Sequence, residues 1–124
     1  MTKLTAQQTA WVESTLAELS LRERIAQMIL PMLTADTAKP LSVGEYVARN
    51  AVGGGHVFGG PVERCRTLVG EAQEAARVPL LISGDFEVGP GERMPEGTHL
   101  PSRMALGAAN DEKLAYEAGR VTAL

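Results

Sequence analysis

Asp85, Glu87 and Arg93 are the residues of this chain whose types and spacing could do chemistry. All three lie in one stretch, residues 79–93 (PLLISGDFEVGPGER). A short apolar run at 80–82, bounded by Pro79 and Gly84, predicts a buried parallel strand. Where that strand ends come the two acids, then a loop carrying Gly89, Pro90 and Gly91, then the arginine. Parallel α/β sheets bind ligands where strand carboxyl ends meet their loops. Two acids and an arginine at that position describe a polar binding site on a rigid mount. The same pattern also fits a solvated loop with a helix-capping acid.

The elements that must hold this site follow from periodicity and punctuation. Thr5 with Gln8, and Ser20 with Glu23, are capping boxes opening two helices. Val12, Leu16 and Leu19 line the first, and Ile25, Met28, Ile29 and Met32 the second, which Pro31 should end or kink. Residues 34–40 form a polar linker. Ser42 with Glu45 opens a third helix running through Arg49. Val57 and Phe58, set among glycines, predict a short strand. An amphipathic helix over 62–77 follows, with Val62, Cys65, Leu68, Val69, Ala72 and Ala76 inward. Together with the strand at 80–82 it makes a β-α-β unit, whose strand ends share one rim. Residues 95–102 are too rich in turn formers for a helix. Asn110 or Asp111 caps a last helix with Leu114, Ala118 and Val121 on its inner face. That helix stops at Leu124 without a cap, so the sequence is expected to be truncated.

Composition narrows the partners. The 124 residues carry a net charge of −3, and the 12 Lys and Arg form no basic run, which argues against nucleic acid. No apolar stretch approaches a membrane span, and the N-terminus lacks the apolar core of a signal peptide. The single cysteine, Cys65, excludes an internal disulfide and suits a reducing cytoplasm. The glycines at 53–60 flank a strand on both sides and no Gly-Lys-Ser or Gly-Lys-Thr follows, so they do not make a phosphate cradle. They are expected to let backbone approach a neighbouring strand or ligand. His56 and His99 lack the spacing of a metal motif, and no nucleophile-elbow pattern is present. No cofactor and no metal are implied.

Five segments in order resemble the N-terminal domain of family 3 glycoside hydrolases, the β-glucosidases and β-N-acetylhexosaminidases. They are residues 19–28 (LSLRERIAQM), 52–59 (VGGGHVFG), 79–87 (PLLISGDFE), 97–107 (GTHLPSRMALG) and 114–123 (LAYEAGRVTA). The resemblance implies an α/β fold, the N-terminal portion of a (β/α)₈ TIM barrel. Residues 1–50 would be N-terminal helices, and 51–124 the first β-α-β-α units, with strands near 54–58 and 80–84. It implies that Asp85 binds hydroxyls of the sugar at the cleaved position and that Arg93 assists. It also implies a retaining exo-acting hydrolase of terminal β-linked glucose or N-acetylglucosamine, working on a carbohydrate substrate. The nucleophile and acid/base would lie beyond these 124 residues, so Asp85 and Glu87 are not given those roles. On this basis the isolated chain is expected to be inactive and to self-associate through exposed barrel edges. A non-catalytic sugar-binding α/β module and an inactive truncated remnant are the competing readings.

Overall fold

The computed structural model describes residues 3–34 and 41–123. Most of the polar linker expected at 34–40, and the final residue Leu124, lie outside the described residues. Among those described there are six α-helices and three strands in one parallel sheet.

The capping boxes form as their spacing predicts. Thr5 caps α1 (Ala6–Glu18), Ser20 caps α2 (Leu21–Ala26) and Ser42 caps α3 (Val43–Asn50). In each, the hydroxyl accepts the N3 amide, and the N3 side chain accepts the cap residue's own N–H. The second helix is shorter than its apolar spacing suggests. It ends at Ala26, and Met32 belongs instead to a two-residue strand, β1 (Met32–Leu33).

This strand corrects the expected organisation. Residues 1–50 are not helices alone, and the strand expected first, near 54–58, is the second of the sheet. The order is β1-β2-β3, with β2 (Gly54–Val57) central and β3 (Leu81–Ser83) beside it. Pro31 hides the extra strand from a periodicity reading: a run of apolar residues around a proline looks like a helix end. Here Pro31 supplies its carbonyl to the His56 amide at 2.9 Å and starts the ladder.

One side of the sheet is packed. The helices α3 and α4 (Val62–Ala75) lie against each other, and the core gathers Leu33, Val47, Val52, Val57, Cys65, Leu68, Ala72 and Leu80. Cys65 is buried in this stripe, as its spacing predicts, while Glu63, Arg66, Glu71 and Glu74 face solvent. Gln73 pins α4 to the strand beside it: its amide donates to the Leu80 carbonyl and accepts the Leu80 N–H, both at 2.9 Å. The glycines before β2 serve close approach, as expected. Gly53 is buried and donates its N–H to the Ala26 carbonyl, and a Cβ there would collide with the Gln27 backbone.

The strand at β3 is not buried on both faces as its sequence suggests. Leu81 is 71% exposed and Ile82 40%. Leu81 so exposed marks an uncovered face of this strand. Beyond it, α5 (Arg103–Ala109) starts at Ser102, whose hydroxyl accepts the Ala105 N–H. Asn110 ends α5 in the left-handed region at φ 49°, and Asp111 caps α6 (Glu112–Thr122). The two candidate caps thus divide the work between two helices. The inner face expected for α6 holds no buried residue.

Candidate functional site

The register of the sheet builds the site. Parallel pairing sets Gly54 against Leu81 and His56 against Ser83. Side chains alternate along a strand, so Val57, which packs on the helices, leaves His56 on the opposite face. Phe58 leaves the carboxyl end of β2 and Asp85 the carboxyl end of β3, two residues beyond His56 and Ser83. One row of polar groups therefore runs along the uncovered face and ends at the rim.

Within that row, His56 Nδ1 lies 3.1 Å from Ser83 Oγ, and its Nε2 lies 3.7 Å from Asp85 Oδ2. The Asp85 side chain is 53% exposed and that of His56 24%. Asp85 therefore keeps carboxylate oxygen open to an incoming donor.

Arg93 comes to the same place by another route. The chain leaves β3 at Ser83 and passes through a short 3₁₀ turn at Pro90–Glu92, entered at Gly89 with φ 88°. Arg93 Nε donates to the carbonyl oxygen of Asp85 at 3.1 Å, and its guanidinium carbon stands 4.5 Å from the Phe58 ring centroid. That is within cation–π range. Arg93 Nη2 is 3.8 Å from Glu92. The structure thus brings Asp85 and Arg93 together through backbone and an aromatic platform, not through a carboxylate–guanidinium pair. Gly59 closes the arrangement: at φ 114° a Cβ would strike the Arg93 backbone, and the next amide, Gly60, donates to the Arg93 carbonyl at 2.8 Å.

Glu87 does not join them. Its backbone N–H and that of Val88 donate to the Glu92 carboxylate at 3.1 and 3.3 Å, and its carbonyl accepts from Arg103 Nε at 3.2 Å. These bonds hold the loop. Glu96 likewise has a structural task, accepting the Val62 N–H at 3.2 Å and so supplying the cap that Pro61 lacks.

His56, Ser83 and Phe58 are the residues that sequence reasoning missed as site members. Spacing in the sequence tests His56 only as a metal ligand. Its signal was alternation, since it stands two residues before Phe58 on the neighbouring strand, but the register needed to align it with Ser83 is not written locally. Ser83 lies within an extended strand rather than on a strand-to-helix elbow, so the Ser83–His56–Asp85 grouping is not a displayed nucleophile. Among the described residues, no group of three or more His, Cys, Asp or Glu could hold a metal ion, and no helix is long and apolar enough to cross a membrane.

Residues 20–124 match the family model described as the glycosyl hydrolase family 3 N-terminal domain. A curated relative, the beta-N-acetylglucosaminidase/beta-glucosidase of Cellulomonas fimi, is 39% identical over 105 residues. That alignment covers 80% of this chain and 17% of the relative. Two solved structures are similar across 96% of the chain at 29% identity: beta-glucoside phosphorylase BglX, with a TM-score of 0.76, and the same protein bound to 2FGlc, with a TM-score of 0.80. The chain covers 20% and 22% of those structures, so it spans about a fifth of the length of the proteins it matches.

Proposed function

This chain belongs to glycosyl hydrolase family 3, matching its N-terminal domain, and we propose that it supplies the sugar-holding rim of a retaining, exo-acting β-glycosidase. The substrate would be a terminal β-linked glucose or N-acetylglucosamine, the two sugars in the name of the Cellulomonas fimi relative. The observation that carries this reading is the open Asp85 carboxylate at the carboxyl end of β3, with Arg93 locked beside it.

Each group has a task that its chemistry allows. The Asp85 carboxylate accepts hydrogen bonds from adjacent sugar hydroxyls; such charge-assisted bonds contribute roughly 1.5–3 kcal/mol each. Arg93, with Nε occupied and its plane against Phe58, offers its remaining N–H groups to a ring oxygen or hydroxyl. Retention of configuration needs a nucleophile and an acid/base about 5–5.5 Å apart. Those two groups would come from parts of the protein outside these 124 residues. The three strands would be consecutive members of a (β/α)₈ barrel, whose closure would cover the exposed face of β3. The lone thiol, Cys65, buried in the core, suits a reducing cytoplasm.

Phosphorolysis is a second reading, favoured by the name of the two solved relatives. It differs only in the acceptor, phosphate instead of water, and leaves the role of Asp85 unchanged.

The test is turnover of nitrophenyl β-glucoside and nitrophenyl β-N-acetylglucosaminide by the full-length protein and by the 124-residue chain, with and without phosphate. Release of nitrophenol by the full-length protein alone is expected. A sugar 1-phosphate product would select phosphorolysis. Turnover by the isolated chain would overturn the placement of the catalytic groups.

A further inference from the structure

We infer that His56, held by Ser83, is the positioning residue for the Asp85 carboxylate and decides which of its oxygens meets the substrate. The inference rests on the reading of Asp85 as a sugar ligand and names a residue that this reading does not use.

His56 is the best-anchored residue of the row. It sits on the central strand, paired with Met32 on one side and Ser83 on the other, and its N–H donates to the Pro31 carbonyl at 2.9 Å. Its ring is confined on three sides: Ser83 Oγ at 3.1 Å from Nδ1, Asp85 Oδ2 at 3.7 Å from Nε2, and the Phe58 ring with centroids 6.3 Å apart at 56°.

A neutral imidazole has one donor and one acceptor nitrogen, and a carboxylate only accepts. Nε2 facing Asp85 must therefore carry the hydrogen, so Nδ1 is the acceptor and the Ser83 hydroxyl donates to it. The opposite tautomer would aim a lone pair at an anion. At 3.7 Å the Nε2–H does not yet make a hydrogen bond with Oδ2, but it attracts that oxygen, and a small side-chain rotation of Asp85 closes the gap. Arg93 already fixes the Asp85 backbone through its carbonyl. His56 then fixes the side chain: Oδ2 turns to the imidazole and Oδ1 faces the open rim. A carboxylate so held loses less freedom when substrate binds.

The experiment uses the full-length protein. His56→Ala should raise KM for the nitrophenyl glycoside about fivefold or more while kcat changes less than about twofold, because ground-state and transition-state binding weaken together. His56→Gln, whose amide can present an N–H near the place of Nε2, should recover most of the loss. The double variant His56→Ala with Asp85→Ala should be no worse than Asp85→Ala. Independently of activity, ¹⁵N spectra of the histidine rings above neutral pH should show His56 as the Nε2–H tautomer, and Ser83→Ala should mix the two tautomers. The inference is overturned by an unchanged KM in His56→Ala when Asp85→Ala raises it, by effects that multiply in the double variant, or by an Nδ1–H tautomer. In those cases the site reading stands. If Asp85→Ala itself leaves KM unchanged, the site reading fails and takes this inference with it.

Discussion

The guanidinium carbon of Arg93 stands 4.5 Å from the centroid of the Phe58 ring, while Nε of the same side chain donates to the Asp85 carbonyl. One arginine thus ties the end of β2 to the end of β3. The tie is made by a flat cation on an aromatic face plus a directed N–H, and a lysine could supply only the charge. Arg93→Lys should therefore behave more like Arg93→Ala than like the wild type. In the full-length protein both should lower kcat/KM by about tenfold, on the order of 1.4 kcal/mol. Phe58→Ala should produce a smaller loss of the same kind, and Phe58→Tyr almost none. A fully active Arg93→Lys variant would show that charge alone matters.

Gly53 sets the distance between the end of α2 and the start of β2. Because an added Cβ meets the Gln27 backbone, which cannot swing aside as a side-chain tip could, Gly53→Ala should destabilise strongly. Overpacking of this kind costs about 1–3 kcal/mol, and the upper end is expected here. Thermal or denaturant melting reads the loss. Gly70→Ala, at an exposed helical position where no described residue lies near the would-be Cβ, should stabilise slightly and serves as the control.

Two capping boxes confer a pH dependence whose sign can be worked out. Hydrogen bonds from the Ser20 hydroxyl and amide, then the nearby Arg77, hold the Glu23 carboxyl below the usual glutamate range. The Ser42 amide and hydroxyl, then Arg49, do the same for Glu45. A carboxyl whose pKa is lowered by folding adds stability that is complete above its unfolded pKa and lost as pH falls through the folded one. Glu23→Gln and Glu45→Gln should thus melt earlier than wild type at neutral pH, and the difference should vanish in acid. A gap that stays constant from neutral to acid pH would contradict this account.

Much of the fold was legible in the residues. The three capping boxes, the buried stripe around Cys65 and the strands near 57 and 81 follow from local chemistry, and each forms where its spacing places it. Strand β1 was not legible, because two residues beside a proline carry no period. Its existence depends on the Pro31 carbonyl meeting the His56 amide, a contact between distant residues. Helix α5 is not legible because Met104, Ala105, Leu106, Gly107 and Ala108 show no stripe, although Ser102 is a sound cap for it. In the site, Asp85 and Arg93 were visible because they end a strand and follow a loop. His56 and Ser83 were not, since their meeting is a fact of register.

The uncovered face of the sheet should show in the isolated chain. The described structure leaves Leu81, Met32 and Phe58 each more than half exposed on that side. The accessible surface is 8991 Å², against roughly 6,400 Å² for a compact monomer of this mass. Exposed apolar strands invite pairing between chains. The isolated 124 residues should bind a hydrophobic dye or elute as an oligomer, keep helical circular dichroism, and melt without a sharp transition. A sharp melt from a strict monomer would favour a self-standing binding module.

The central claim is that Asp85 holds the sugar, and kcat/KM of Asp85→Ala in the full-length protein tests it most directly. The carboxylate is half exposed and, among the described residues, has no salt bridge to a lysine or arginine, so its loss should cost little stability. Loss of one or two charge-assisted bonds to hydroxyls should lower kcat/KM by at least about tenfold, while the thermal midpoint stays within a degree or two. Wild-type kcat/KM in a well-folded Asp85→Ala variant would contradict the account.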